Sequence, residues 1–551
     1  MADNNKKNNF VMQAGILAAA GIISRVIGLL YRKPLTSIIH AEGNGYFTAA
    51  HNFYAIVLLI SSYSIPSAIS KVIAQKLAVR EYRNAHRIFH CALLYVTVVG
   101  GAASLLLFFG AGIMVSGPAV PVLKVFAPTV FFSGLLGVLR GYFQAHKTMI
   151  QTSVSQILEQ IVNAIASVGM AALLIYLLTG TLDMPLLAED VTTRAMYGAI
   201  GSAAGTGISV VAALLFVYGI YILNRKMIRR RIENDQTGQE DSYGEIIRMI
   251  ISVVTPFLLS TAVYNLSTII NQSIYIRLVQ YLKEVEYSII YANYGVFSAE
   301  AVVISNIPIA FASAMASAMI PQVAQAAAQK NMKAAQDNIS VAVKTTMLIA
   351  IPSAVGLFVL AEPVTGLLFP QAATIEMASL CLKTLALSIV FYSLSTLSNS
   401  ILQGMGKVNI PIITSGISLA VQTAVCVLLL YFTELDIYSL AISMTVYSGL
   451  ICLLNQIVIR KVAGYRQELL KTFVIPTLAS GIMGVVVWGV YKGLYMLTSS
   501  RLLSVVPSIV VAVCIYFAAL IGCKGVTEEE LRGFPKGHLM VKIARKCRLL
   551  S

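Results

Sequence analysis

The chain has 551 residues, of which 57% are hydrophobic and only 12% charged, with a mean hydropathy of +0.79, which excludes a soluble globular protein. A net charge of +16 raises nucleic acid as a partner, but the cations sort by loop as membrane topology requires, so none is expected. The seven cysteines form no CxxC and no metal-type spacing, so neither a metal centre nor a disulfide framework is expected.

Fourteen apolar runs follow one another, at 10–31, 46–70, 88–111, 119–140, 152–178, 194–223, 249–276, 291–321, 339–361, 377–402, 409–432, 437–459, 472–491 and 502–522. At ~1.5 Å rise per residue, about 20 residues cross ~30 Å of hydrocarbon as a helix. The runs are continuous rather than alternating, so the spans are helices and not strands of a barrel. The expected fold is an all-α polytopic membrane protein of about 14 transmembrane helices.

The first run has Lys6 and Lys7 on its flank and imitates a signal peptide. It is long for one, lacks a clear cleavage site and carries Arg25, so it is expected to be a retained span. An arginine within a span costs roughly 2.5–3.5 kcal/mol on insertion scales. Arg25 therefore either snorkels to the interface or meets a partner, a wet cavity or an anionic ligand. Arg32 and Lys33 follow at once on a side otherwise poor in cations, which points to an anion. Guanidinium forks match phosphate oxygens, so a diphosphate headgroup fits Arg25, Arg32 and Lys33.

The densest basic clusters, at 71–87, 225–231 and 524–548, fall on one side of the membrane, and the loop at 181–190 on the other holds only acids. The positive-inside rule places both termini in the cytoplasm. The basic loops are expected to orient the protein and touch anionic lipids.

Residues 45–85 laid on 295–335 without a gap show a repeat at an offset of 250. Gly45-Tyr46-Phe47-Thr48-Ala49 faces Gly295-Val296-Phe297-Ser298-Ala299, and Leu139-Arg140-Gly141 is echoed by Leu402-Gln403-Gly404. Chance similarity between small-residue helices is the competing explanation. A true repeat gives two parallel six-span bundles related by an axis along the membrane normal. The expected organisation is an N-lobe at 1–223, a polar cytoplasmic linker at 224–248, a C-lobe at 249–460, two extra spans at 461–522 and a cytoplasmic tail at 523–551. In the tail, Thr527 and Glu530 have capping-box spacing.

Four more ionisable side chains lie inside spans. Lys124 and Lys383, near outer ends, either snorkel or face a cavity. Glu159 is expected to pair with a loop cation such as Lys147. Glu300 has no sequence-local cation and is either a neutral carboxylic acid facing protein or a coupling group. Asn265, Asn271 and Gln272 in span 7, Asn306 in span 8 and Asn399 and Gln403 in span 10 suit hydroxyl-rich cargo, or serve as helix-packing amides. No Walker loop, HExxH, GxSxG or large hydrophilic domain is present, so no enzyme is expected.

Ser24-Arg25-Val26-Ile27-Gly28 in a 6 + 6 + 2 plan, with Ile307-Pro308, Ala318-Met319-Ile320-Pro321, Leu402-Gln403-Gly404 with Lys407, and Thr527-Glu528-Glu529-Glu530-Leu531, resembles the MOP superfamily. The likeness is to its polysaccharide-biosynthesis branch, which includes stage V sporulation protein B and the MurJ-type lipid II flippases of Gram-positive bacteria. It implies a V-shaped, two-lobed transporter that moves an undecaprenyl-diphosphate-linked saccharide between leaflets by alternating access. It also implies that first-span arginines meet the diphosphate; Arg25 matches by motif, Arg32 within one residue. The arginine and glutamate pair of the family's eighth span is not reproduced; Glu300 stands alone there. Expected partners are a lipid-linked saccharide, anionic lipids and the cell-envelope synthesis machinery. No cofactor is expected beyond a coupling ion or the membrane potential. The alternatives are a multidrug exporter of organic cations from the same superfamily, a membrane glycosyltransferase or ligase, and a non-transporting scaffold.

Overall fold

The computed structural model describes residues 23–24, 27–28, 30–59, 65–146, 148–180, 188–235, 241–329, 331–407, 409–523 and 525–526. Arg25 and the tail with its capping box lie outside the described residues. Among the described residues there is no strand. Eleven helical segments are long and apolar enough to cross a membrane.

Cα packing divides the chain into two compact units, Met1–Gly295 and Val296–Ser551. The first contains α1 (Arg32–Leu58), α2 (Ile65–Ala78), α3 (Tyr82–Met114), α4 (Ala119–Ala145), α5 (Met149–Thr179), α6 (Ala188–Glu233), α7 (Tyr243–Lys283) and α8 (Tyr287–Gly295). The second opens with a π-helical turn, Val296–Ala301, and continues through α9 (Val302–Ala328), α10 (Met332–Val359), α11 (Ala361–Leu368), α12 (Ile375–Gly404), α13 (Asn409–Phe432) and α14 (Tyr438–Ala463). After a second π turn, Leu470–Val474, come α15 (Ile475–Thr498) and α16 (Arg501–Gly522).

Sequence and structure agree closely where an apolar run is bounded by polar residues on both sides: α13 has the expected limits, and α16 differs by one residue. They part where local pairing extends a helix. α6 runs to Glu233, ten residues past the expected end of its span, with Arg229 Nε and Glu233 Oε1 paired at 2.9 Å one turn apart. The chain then restarts at α7 with a capping box, in which the Ser242 hydroxyl accepts from the Glu245 N–H and the Glu245 carboxylate accepts from the Ser242 N–H.

Each unit has its own core. In the first, Ile73, Phe89, Val138, Tyr142, Val217 and Ile246 close the end where α2, α3, α4, α6 and α7 meet. In the second, Val323, Ile339, Met347, Leu397, Ile401 and Ile459 join α9, α10, α12 and α14. α15 and α16 dock on α10 through a separate cluster of Leu348, Ala479, Met483, Val487, Tyr516 and Leu520. Arg501 Nη1 ties the start of α16 to the Gly366 carbonyl at 3.3 Å. Leu105, Phe109 and Ile113 on α3 and Leu478, Ile482, Val485 and Val510 on α15 and α16 are exposed. Such belts are aggregation surfaces in water and the solvated face in lipid. The chain is a multi-pass membrane protein.

α1 is two helices joined at His40, whose φ of 57° breaks the ladder. Its second part crosses α8 so closely that a Cβ on Gly45 would overlap the Tyr291 carbonyl, and one on Gly295 would overlap the Ala41 carbonyl. Only glycine permits that approach. The residues involved, 41 with 295 and 45 with 291, exchange under the offset of 250, so the crossing has local two-fold form.

Candidate functional site

The polar groups within the membrane-embedded helices fall into several centres. The best defined lies between α4 and α5, where Arg140 Nη2 meets Glu159 Oε2 at 2.7 Å and Arg140 Nε donates to Ser155 Oγ at 2.9 Å. Glu159 thus pairs with the arginine at the end of the preceding span, because Arg140 and Glu159 face each other across the antiparallel α4–α5 hairpin; the loop cation Lys147 lies outside the described residues. Tyr54, buried on α1, lies against Ser133 and within electrostatic reach of Glu159. Gly28, three residues after Arg25, approaches Gln160: a Cβ on it would lie 3.8 Å from Gln160 Oε1.

Arg32 begins α1 half-buried and acts electrostatically on His51, while Lys33 is exposed. Near them is a cluster that sequence reasoning missed. Glu42, 9% exposed, accepts a 2.6 Å hydrogen bond from Tyr46 OH, and Arg194, also buried, acts with Glu42 on His40. The one sequence signal was a tyrosine one helical turn after a glutamate.

The amides of α7 divide. Gln272 is fully engaged: its Oε1 accepts from Asn52 Nδ2 at 2.7 Å and from Tyr294 OH at 3.1 Å, and its Nε2 donates to the Ala49 carbonyl at 3.0 Å. It joins α7 to α1 and α8. Asn271, equally buried, keeps an Oδ1 without a donor. Asn265 is on α7, with its side chain outside the described residues.

In the second unit, Glu300 sits on the π-helical turn and is 1% exposed. Thr374 and Cys381 are its polar neighbours, yet among the described residues neither carboxylate oxygen has a donor in hydrogen-bonding geometry. π turns re-aim side chains relative to an α-helix and recur at functional sites. Lys383 is half-buried on α12, and Asn306 is exposed on α9. Asn399 accepts a 2.7 Å hydrogen bond from Asn455 Nδ2, which also donates to Ser398, while Thr414 donates to Asn455 Oδ1 at 2.8 Å. That network staples α12, α13 and α14 together. Gln403 is half-buried at the end of α12.

The described residues contain no cluster of three His, Cys, Asp or Glu able to hold a metal ion. What the arrangement offers is charge placed inside apolar helices, one carboxylate neutralised by arginine and one not. Ionisable side chains within membrane helices are rare and mark candidate functional sites.

The model of the lipid II flippase MurJ family matches residues 83–506. The chain belongs to that family. It is 23% identical over 496 residues to the lipid II flippase MurJ of Bacillus subtilis (strain 168), covering 86% of each chain. It is also 23% identical over 554 residues to stage V sporulation protein B of the same organism, covering 97% of this chain and 100% of that one. Among solved structures, an inward closed lipid II flippase MurJ superposes with a TM-score of 0.64 at 15% identity, covering 91% of this chain and 97% of that one. An inward-facing multidrug resistance MATE transporter of the MOP superfamily superposes at 0.60 and 16% identity, covering 80% and 94%. The MurJ-family member therefore has the fold common to MurJ and MATE proteins.

Proposed function

We propose that this MurJ-family member is a flippase for an undecaprenyl-diphosphate-linked saccharide, a cell-wall or polysaccharide precursor, moved from the inner to the outer leaflet by alternating access. The observation that carries the reading is the match to the lipid II flippase family over residues 83–506, on a chain whose membrane helices hold paired and unpaired charges. Arg25, Arg32 and Lys33 balance the diphosphate, and the lipid tail stays in the bilayer. Both termini lie in the cytoplasm, as the charge bias of the loops supports. The two six-span repeats, at 1–223 and 249–460, rock about the headgroup, and Glu300 is the candidate for ion coupling. The membrane potential is a second source of drive, at ~2.3 kcal/mol per charge per 100 mV.

The test is complementation of a strain depleted of its lipid II flippase, with membrane expression verified for wild type and Arg25→Ala. Rescue by wild type alone supports lipid II transport through an Arg25-dependent step. Rescue by both keeps the flippase and removes Arg25 from the site. Failure of both at full expression assigns a different lipid-linked glycan or the exporter reading. A MATE-type exporter of organic cations is favoured by one observation, the unpaired carboxylate of Glu300. It requires wild type to raise efflux of a cationic dye, with loss in Glu300→Gln.

A further inference from the structure

At the end of the first unit that the charge bias assigns to the cytoplasm, α2, α3, α4, α5 and α6 leave a cavity of about 160 Å³, many times what one water needs (~10–15 Å³). Its polar lining comes from His86, His146, Thr148, Gln151, Asn224 and Arg231, with Tyr82 and Tyr142 on its wall and Leu77, Ile228 and Ile232 closing it. None of the lining residues is acidic. Among the described residues, the carboxylates next to the lining in sequence have partners of their own: Glu81 with Lys76 at 2.8 Å, Glu233 with Arg229 at 2.9 Å, and Asp235 with the Arg83 N–H at 2.7 Å.

Two buried polar atoms of the lining, His86 Nδ1 and Gln151 Oε1, have no hydrogen-bond partner among the described residues. Orphaned buried polar groups cost free energy unless something completes them. The 31-residue α5 begins at this cavity, and its N-cap, Thr148, makes no side-chain cap; its hydroxyl donates instead to the Phe143 carbonyl at 2.9 Å. Thr148 and Gln151 thus place the first turn of α5, with the positive end of its dipole, on the cavity wall that Arg231 also lines. Burial first, and the Arg231 charge with it, hold the His146 imidazole below its ordinary range against an opposing hydrogen bond with the Tyr142 carbonyl. Arg231, itself exposed on α6, thus brings its positive charge to bear on the cavity wall.

We infer that this cavity binds the phosphate group of a ligand, with Arg231 and the first turn of α5 taking the anionic oxygens and the two histidines and Gln151 completing the shell. The chemistry is common to a phospholipid headgroup at the membrane surface and to a soluble phosphate compound. The site is separate from the transport pathway proposed above and stands or falls without it.

The test uses the full purified chain in phosphatidylcholine nanodiscs. Retention of added phosphatidylglycerol is read by native mass spectrometry, and stabilisation by inorganic phosphate is read by thermal unfolding. The variants are Arg231→Gln, Gln151→Ala, and Arg230→Gln as an exposed neighbour outside the lining. The expected result is binding by wild type and Arg230→Gln that is about tenfold weaker in Arg231→Gln, the loss of one charge-assisted contact. A smaller loss is expected in Gln151→Ala. Response to phosphatidylglycerol alone assigns the site to a headgroup, and response to inorganic phosphate assigns it to a soluble compound. Equal loss in Arg230→Gln and Arg231→Gln means diffuse surface attraction and overturns the proposal, as does the absence of response to either probe in wild type.

Discussion

Glu159 and Glu300 are the two carboxylates set within the membrane helices by sequence, and the structure treats them oppositely. Glu159 is held by Arg140, whose guanidinium is anchored in turn by Ser155. Glu300 is more deeply buried and has no donor. An ion pair in an apolar setting offsets the desolvation of both charges, and removing one partner strands the other. A lone carboxylate avoids that cost only by holding a proton or a cation. The first arrangement is complete as it stands. The second has something left to bind.

The largest effect that separates them is expected for Arg140→Ala, which leaves Glu159 charged and alone. It should cost about 3–5 kcal/mol, read as loss of monodisperse protein or a marked fall in unfolding temperature in detergent. Replacing both members, Arg140→Met with Glu159→Leu, should recover most of that loss, because the penalty lies in the stranded charge and not in the missing attraction. If the double variant is as unstable as the single, the pair does more than neutralise Glu159. Glu300→Gln should change stability by less than about 1.5 kcal/mol, in the stabilising direction where the acid was ionised. A Glu300→Gln loss as large as that of Arg140→Ala would mean the carboxylate has a strong partner in the folded protein, and the contrast would fail.

The smallest effect belongs to the same chemistry outside the membrane-spanning segments. At the α2–α3 elbow, Lys76 Nζ bridges Glu81 Oε2 at 2.8 Å and Asp241 Oδ2 at 2.5 Å, and Asn84 Nδ2 also donates to Glu81. The hydrogen bonds from Lys76 and then Asn84 hold the Glu81 carboxyl below its ordinary value near 4.5. Its contribution is therefore fully present above that ordinary value and is lost as pH falls through the depressed one. The Glu81→Gln amide oxygen can still accept from Lys76 and Asn84, so only the charge is lost, worth roughly 0.2–1 kcal/mol. Thermal unfolding of wild type and Glu81→Gln should accordingly converge at acid pH and differ slightly at neutrality. A difference that persists at acid pH would locate the effect in packing rather than in charge.

Helix positions were legible wherever an apolar run ended in polar residues, as at 409–432. They were less so at 224–233, whose polarity suggests a linker although Arg229 and Glu233 are spaced to prolong α6. The π turn under Glu300 leaves no composition signal, since Val296–Ala301 is as apolar as its neighbours; what was legible was an acid with no cation nearby. Arg140 was visible as the end of a span, but its partner depended on how α4 and α5 face one another. The burial of Glu42 and Arg194 lay beyond sequence because Glu42 sits where a loop was expected and Arg194 at the very start of the sixth expected span, where a cation ordinarily reaches the interface. The amides of spans 7 and 10 were legible as polar, and only geometry distinguishes Gln272 and Asn399, which staple helices, from Asn271, which keeps an unused acceptor.

The crossing of α1 and α8 has the bookkeeping of a homodimer written within one chain. Position 41 meets 295 and 45 meets 291, the pattern an isologous interface makes when two copies of one unit meet. In a true dimer one substitution would strike both notches together. Here the two glycines are separately encoded, so each can be altered alone, and a side chain at either suffices to part the same two helices. A joint of symmetric form can thus be tuned from one side.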